Sequence, residues 1–223
     1  MNPGNTAVLF FTREAQDESR HKSLWGRGKN TQVLQELIQH TESEIRKTGL
    51  PYFIAREQHG GSFGEKFANA IQNVFDLGFE QVIALGNDSP GLTAQLILNA
   101  QRQFQNHDLV VGPSRDGGTY LLGLTKSGFD YKGFVQLPWQ TNRLFMSLVL
   151  NSDRVAQLTI TLGDIDKTED LVQFLFNPGL HGKRIVHRLL NVWKKLSFNL
   201  ARTVGNVLFY LSTNTGLRAP PLA

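Results

Sequence analysis

Residues 82–90 have the sequence Val82-Ile83-Ala84-Leu85-Gly86-Asn87-Asp88-Ser89-Pro90. Four apolar residues run into a glycine, and one acid follows just before a proline. This pattern predicts a buried strand of the parallel type that places the Asp88 carboxylate at its carboxyl end. Open α/β sheets bind their ligands at that edge, and a carboxylate there suits a hard divalent cation that bridges phosphate oxygens. Asp88 is therefore the first candidate metal ligand.

The same alternation of strands and helices extends outward from this stretch. A helix is predicted from Asn30 or Thr31 to about Lys47, and Gly49 and Gly78 end this helix and the next one, both before the central strand. Further strands are predicted at Thr6 to Thr12, Tyr52 to Ala55, Asp108 to Gly112 and Leu158 to Leu162. This order predicts an α/β fold of three layers, with a mixed, mostly parallel sheet and helices on both faces.

The composition indicates an ordinary globular protein. The chain has 223 residues, of which 40% are hydrophobic and 19% charged, enough for one sizeable core with a small appendage. Because there is no cysteine, a disulfide framework and a thiolate site are excluded. No apolar run approaches the ~18–20 residues of a spanning helix, and the N-terminal run is too short for a signal peptide. A cytoplasmic location is expected.

The charge of the chain is unevenly distributed. No acid occurs after Asp170, whereas seven basic residues do, and the part up to Asp170 holds 16 basic and 19 acidic residues. We therefore expect a mildly acidic domain at residues 1–176, without a surface for nucleic acid, and a basic helical extension at 177–223. The extension could pack on the body, on a second copy of the chain, or, through its basic face and Trp193, on the inner face of the membrane.

Two more strand ends carry acids. Asp116 begins the turn Asp116-Gly117-Gly118, and either Asp164 or Asp166 follows the last predicted strand. One acid at a strand end is usually a turn or cap residue, but three such positions in one sheet indicate a shared site. Their carboxylates, together with diphosphate oxygens, would complete the shell of Mg²⁺ or Mn²⁺.

Five stretches recur in the order of a known family. The stretches are Gly64-Glu65-Lys66-Phe67-Ala68-Asn69-Ala70, Gly86-Asn87-Asp88-Ser89-Pro90-Gly91-Leu92-Thr93, Asp116-Gly117-Gly118-Thr119-Tyr120-Leu121-Leu122-Gly123-Leu124, Pro138-Trp139-Gln140-Thr141 and Asp164-Ile165-Asp166-Lys167-Thr168-Glu169-Asp170-Leu171. With these stretches the chain resembles a bacterial family of GT-A-type transferases, often called selenodomain-associated transferases, which is distantly similar to phospholactate guanylyltransferase.

This resemblance implies a nucleotide-diphospho-sugar transferase-like fold and a set of site residues. Asp88 and Asp166 match the acids that hold a divalent metal, Mg²⁺ or Mn²⁺, and Asp116 matches an acid that orients or deprotonates the acceptor. The turn from Gln58 to Gly64 matches the segment that faces the nucleotide base. The residues implied to contact the nucleotide are Lys22, Gln58, Gly61, Gly64 and Lys66.

The sequence leaves the reaction open. A metal-dependent glycosyl transfer from a nucleotide-diphospho-sugar is the first hypothesis, and nucleotidyl transfer from a nucleoside triphosphate would use the same metal site. The family usually carries a Lys-Thr-Arg-Leu run in the first loop, where this chain has Arg20-His21-Lys22-Ser23-Leu24. That change keeps a third class open, a divergent protein that binds a nucleotide without turnover. The acceptor is not identified by the sequence.

Overall fold

Six strands form one sheet. The computed structural model describes residues 5–19, 27–56, 59–177, 183, 185–192 and 194, with the backbone alone at residues 18 and 27–29. The strands are β1 (Thr6–Phe11), β2 (Tyr52–Ala55), β3 (Gln81–Leu85), β4 (Leu109–Pro113), β5 (Thr119–Thr125) and β6 (Val155–Gln157). Their order in the sheet is β2-β1-β3-β5-β4-β6.

Seven helices within the described residues connect and flank these strands. They are α1 (Ala15–Glu18), α2 (Arg27–Arg46), α3 (Phe63–Asp76), α4 (Ala94–Gln103), α5 (Tyr131–Val135), α6 (Leu144–Leu150) and α7 (Thr168–Phe176). Residues 185–192 are also helical. No helix within the described residues is both long and apolar enough to cross a membrane.

One strand runs against the others. β1 pairs in parallel with β2 and β3, and β4 pairs in parallel with β6, but β5 is antiparallel to both β3 and β4. The start of β5 therefore lies beside the carboxyl ends of β3 and β4, with Leu85 opposite Leu121 and Pro113 opposite Thr119. This reversal brings the acidic turn before β5 to the edge where Asp88 lies.

The sheet divides two hydrophobic cores because side chains alternate along each strand. Val8, Phe10, Ile83 and Leu85 face α4 and the end of α2. Ala7, Leu9, Val82 and Ala84 face α3, α5 and α6. The prediction of an α/β fold with a mostly parallel sheet and helices on both faces is confirmed.

Two predicted boundaries were wrong. The last strand was expected at Leu158 to Leu162, but β6 ends at Gln157, because the ladder is interrupted. Leu158 N donates to Val111 O and Leu162 N donates to Pro113 O, so the residues between them loop out beside the bulge at Pro113. Asn30 does not begin α2 but lies inside it, where its buried amide donates to Ser19 O at 3.4 Å.

A third core joins α2 to the residues near the C-terminus. Leu34 and Leu37 of α2 pack with Leu171 of α7 and with Ile185 and Leu189, and all five side chains are at most 1% exposed. Most of residues 178–223, including Trp193, lie outside the described residues. The division at residue 177 stays a prediction.

Candidate active site

Four carboxylates meet at the carboxyl-terminal edge of the sheet. Asp88, Asp116, Asp164 and Asp166 all line one cavity of about 430 Å³. Asp88 follows β3, Asp116 precedes β5, and the other two follow the bridge between Ser114 and Leu162. The three predicted site acids Asp88, Asp116 and Asp166 are thus brought together by the fold.

Asp164 is the acid of this group whose pKa the site raises. The pKa of Asp164 is raised to about 6, mainly by burial and also by the nearby carboxylates of Asp88 and Asp116, while the hydroxyls of Ser89 and Ser114 act in the opposite direction. The Ser89 hydroxyl donates to Asp164 Oδ1. The carboxylate therefore lies in a desolvated position among like charges, which is characteristic of functional sites.

The sequence left Asp164 and Asp166 as alternatives, and the resemblance selected Asp166. The structure distinguishes their environments: Asp166 is exposed, whereas Asp164 is half-buried and bonded to the segment after β3. Asp164 follows Gly163 at the end of the predicted strand Leu158 to Leu162, just as Asp88 follows Gly86 at the end of the central strand. This similarity to Asp88 was a reason, visible in the sequence, to consider Asp164 as strong a candidate as Asp166.

The turn that carries Asp116 is fixed by packing. Gly118 N donates to Asp116 Oδ1 at 2.9 Å, and Phe145 N donates to Gly117 O at 3.1 Å. Gly117 has a φ of 88°, and a Cβ there would lie 2.3 Å from the carbonyl oxygen of Asn142. Only glycine fits both requirements, so the turn holds Asp116 against the segment before α6.

An aromatic wall completes the cavity. Its rings are those of Phe11, Phe63, Phe67 and Trp139, and the Trp139 indole N–H donates to Phe134 O at 2.8 Å. We call this part of the cleft the aromatic lobe. Rings of this kind provide a flat apolar surface for a base or a sugar.

A second cavity of about 440 Å³ shares Asp116, Asp164 and Asp166 with the first. Its lining also includes cationic and amide side chains, and we call it the polar lobe, although Phe174 and other apolar residues contribute to it as well. The cationic and amide side chains are Arg115, Lys167, Gln173 and Asn177. The shared carboxylates therefore lie at the boundary between two lobes of one cleft.

The glycines implied to contact the nucleotide have local structural roles. Gly61 N and Ser62 N donate to Glu65 Oε2 at 2.7 and 3.0 Å, and Glu65 N donates to Ser62 Oγ at 3.1 Å, which is a capping box at the start of α3. A Cβ on Gly64 would lie 2.8 Å from Trp139 Cδ1. Gly64 thus allows α3 to approach the aromatic lobe.

Lys66 is separated from the four carboxylates. It lines a different groove, of about 470 Å³, together with Arg56 and His59. The structure does not place it in either lobe of the cleft. Lys22 and Gln58, the two other residues implied to contact the nucleotide, lie outside the described residues.

The donor atoms at the boundary fit a hard divalent cation. Within the described residues, no group of three or more histidine, cysteine, aspartate or glutamate side chains is arranged to hold a metal ion by itself. Magnesium is usually held by one or two carboxylates plus substrate phosphates, not by an all-protein cage. Oxygen-only ligands such as Asp88, Asp164 and Asp166 match that mode of binding.

Comparison with known proteins identifies relatives of the chain. A family model described as an uncharacterized protein conserved in bacteria, DUF2064, matches residues 27–141, just over half of the chain. A candidate nucleotide-diphospho-sugar transferase from Desulfovibrio desulfuricans G20 shares 19% identity with a TM-score of 0.72, covering 86% of this chain and 98% of that one. That likeness shows a shared fold. No curated protein sequence matches the chain.

Two more solved structures are similar at lower scores. Rv0371C from Mycobacterium tuberculosis H37Rv, in complex with manganese, has 13% identity and a TM-score of 0.47, covering 77% of this chain and 98% of its own. The 4-diphosphocytidyl-2C-methyl-D-erythritol synthase of Anaerococcus prevotii DSM 20548 has 11% identity and a TM-score of 0.49, covering 76% and 96%. The family match and the shared fold confirm the resemblance drawn from the motifs.

Proposed function

The chain belongs to the DUF2064 family, and we propose that it is a metal-dependent transferase that uses a nucleotide-diphospho-sugar as donor. The observation that carries the proposal is the convergence of Asp88, Asp116, Asp164 and Asp166 on one cleft beside an aromatic wall. Carboxylates at this edge suit a cation bound to a diphosphate. The rings of the aromatic lobe suit the base or the sugar of the donor.

The metal would be held by Asp88 and Asp166, with Asp164 between the serine hydroxyls and the other acids. When bound, a divalent cation neutralises charge on the departing nucleoside diphosphate. Asp116 is the residue we assign to the acceptor. Its carboxylate takes the proton of an acceptor hydroxyl as that oxygen bonds to the anomeric carbon, while the bond from that carbon to the diphosphate oxygen breaks and the electron pair leaves with the diphosphate.

The test is a thermal-unfolding panel of nucleotides and nucleotide-diphospho-sugars, each with and without Mn²⁺ or Mg²⁺. A ligand that binds the folded state raises the unfolding temperature by mass action. We expect stabilisation that needs both metal and nucleotide-sugar, and that is lost in Asp88→Ala. If no nucleotide stabilises the protein, or if Asp88→Ala responds like the wild type, the proposed site is wrong.

The same panel separates the other two functions. A response confined to nucleoside triphosphates, with release of pyrophosphate, would indicate nucleotidyl transfer. If a nucleotide-sugar stabilises the protein but no acceptor gives turnover, the protein binds a nucleotide without catalysing a reaction. This is the third class that the altered first loop left open.

The setting of this activity remains a prediction from the sequence. We propose a cytoplasmic protein whose basic extension contacts anionic lipid or a second copy of the chain. Seven basic residues after Asp170 support this proposal, although the apolar side of residues 185–192 packs on α2. Co-sedimentation of the full chain with anionic vesicles, compared with neutral vesicles, is the test. Equal sedimentation with the two kinds of vesicle would remove the lipid contact.

A further inference from the structure

We infer that the polar lobe binds the anionic group of the second substrate, a phosphate or a carboxylate, and that Arg115 determines this specificity. The inference rests on the proposed function in one respect, because it assigns the donor to the aromatic lobe. Its basis is the division of the cleft: two cavities of similar size, about 430 and 440 Å³, meet at Asp116, Asp164 and Asp166. A transferase needs two substrates on opposite sides of its reacting groups.

The polar lobe contains hydrogen-bond donors besides its acids. Three of its four acids are the shared ones, and the fourth, Asp170, accepts hydrogen bonds from Asp166 N at 3.1 Å and from Lys167 N at 2.9 Å. Asp170 is thus engaged in starting α7. Besides its acids the lobe is lined by four cationic or amide side chains, among apolar ones such as Phe174, and the four are Arg115, Lys167, Gln173 and Asn177. These groups donate hydrogen bonds to anionic oxygens.

Arg115 is held in place by its backbone while its guanidinium remains available. Arg115 N donates to Leu162 O at 2.9 Å, next to the bridge between Ser114 and Leu162. Its side chain lies over Gly163, where a Cβ would be 3.6 Å from Arg115 Cδ and 3.9 Å from Nε. Within the part of the chain that the structure describes, no hydrogen bond or ion pair engages this guanidinium.

Position and chemistry together assign the ligand class. A guanidinium with a fixed backbone presents its N–H groups as a fork, which matches the paired oxygens of a phosphate or a carboxylate. Asp116 lies next to it in the chain and lines both lobes. An anion bound by Arg115 would therefore hold the acceptor so that its hydroxyl reaches Asp116 at the boundary.

The experiment uses inorganic phosphate and acetate as separate probes of the full-length ¹⁵N-labelled protein. Binding is followed by NMR at the Gly163 amide in every protein, and also at the Arg115 Nε–H signal in the wild type and in the control that keeps Arg115. We compare Arg115→Gln, Arg115→Lys and a matched control, Arg102→Gln, at an exposed arginine whose guanidinium bonds to Asn99 on α4. A higher affinity for phosphate or for acetate identifies which anion the lobe prefers.

We expect phosphate or acetate to shift both signals, and Arg115→Gln to weaken the binding about tenfold or more, as for a lost charged hydrogen bond. Arg115→Lys should keep part of the affinity, and Arg102→Gln all of it. The inference is overturned if Arg115→Gln binds both anions like the wild type, or if neither anion shifts these signals.

The nucleotide panel distinguishes this inference from the proposed function. We expect Arg115→Gln to keep the stabilisation by metal and nucleotide-sugar, because the donor lies in the aromatic lobe. If that stabilisation disappears in Arg115→Gln, the polar lobe holds the donor diphosphate and the assignment to the second substrate is wrong. If no nucleotide stabilises the wild type while phosphate binding still depends on Arg115, the proposed function fails and the anion site stands.

Discussion

The backbone N–H of Ile165 donates a hydrogen bond of 2.9 Å to the carbonyl oxygen of Asp88. The Ser89 hydroxyl adds a second link, to the Asp164 carboxylate. These two bonds join the segment after β3 to the segment before α7. Movement of either segment would therefore displace acids on both, so the boundary carboxylates act as one unit.

Asp164→Asn should stabilise the metal-free protein. The carboxylate is desolvated beside Asp88 and Asp116, which raises its pKa to about 6, so a neutral amide of the same shape should raise the free energy of unfolding by about 1–3 kcal/mol at pH 7. Urea unfolding measures this, with exposed Asp153→Asn as the control. A less stable Asp164→Asn protein would contradict the electrostatic account.

Gly117→Ala should destabilise the fold much more than Gly49→Ala. Both glycines have positive φ, 88° and 70°, but a Cβ at residue 49 meets nothing within 4 Å, whereas one at residue 117 would lie 2.3 Å from Asn142 O. Gly49→Ala should cost about 1–2 kcal/mol for its backbone conformation alone. Gly117→Ala should cost about 1–3 kcal/mol more and should weaken binding in the cleft. Equal losses of stability would mean that the turn can move away from Asn142.

Stability should depend on pH through His40 and Glu44, which join α2 to the start of α4. His40 Nε2 donates to Leu92 O at 3.1 Å, and Glu44 accepts from Ala94 N at 2.9 Å and from Lys47 Nζ at 2.5 Å. Burial lowers the pKa of His40, and the positive charges of Arg188 and Lys47 add to this, although Glu44 and Leu92 O oppose it. Burial alone would raise the pKa of Glu44, but the bonds from Lys47 and Ala94 outweigh it and lower that pKa.

The pKa shifts of His40 and Glu44 affect the stability of the fold in different pH ranges. The stability due to neutral His40 is complete above its unfolded pKa of about 6.5 and is lost as the pH falls below that value. The stability due to charged Glu44 is complete above about 4.5 and is lost below it. Asp164 has a raised pKa and therefore acts in the opposite direction, gaining stability as the pH falls.

The contribution of His40 is best measured as a difference between proteins. We expect the advantage of the wild type over His40→Gln in urea unfolding to shrink as the pH falls from 7.5 to 5. The matched control is His187→Gln, at an exposed histidine of the 185–192 helix. Its free energy of unfolding should differ from that of the wild type by the same amount throughout this pH range. A difference for His40→Gln that does not change with pH would rule out the role of the neutral imidazole.

Leu189→Ala should cost about 2–5 kcal/mol, the usual loss for a fully buried leucine. The Leu189 side chain is inaccessible to solvent and packs with Leu34 and Leu37 of α2. Exposed Leu77→Ala, at a residue that is 63% exposed, should cost much less. A small loss for Leu189→Ala would mean that residues 185–192 leave the body readily and are free to bind another surface.

The features that the sequence predicted correctly depend on local chemistry. The apolar run before Asp88 forms β3, and the spacing of Ser62 and Glu65 in the sequence matches the capping box that they form, because neighbouring residues decide both. The direction of β5 and the pairing of Ser89 with Asp164 depend on contacts between distant segments, which a local pattern does not encode. For the same reason Lys66, assigned to the nucleotide by its motif, lies in a groove that does not include the carboxylates.

The antiparallel course of β5 has a consequence for the order of folding. The cleft draws its acids from three segments that are far apart in the chain, and the middle one reaches the common edge only after β5 has inserted between β3 and β4. Such long-range pairings form late because closing long loops costs entropy before contacts compensate for it. Partly folded chains would lack a competent cleft, and the return of ligand binding during refolding would report on completion of the sheet.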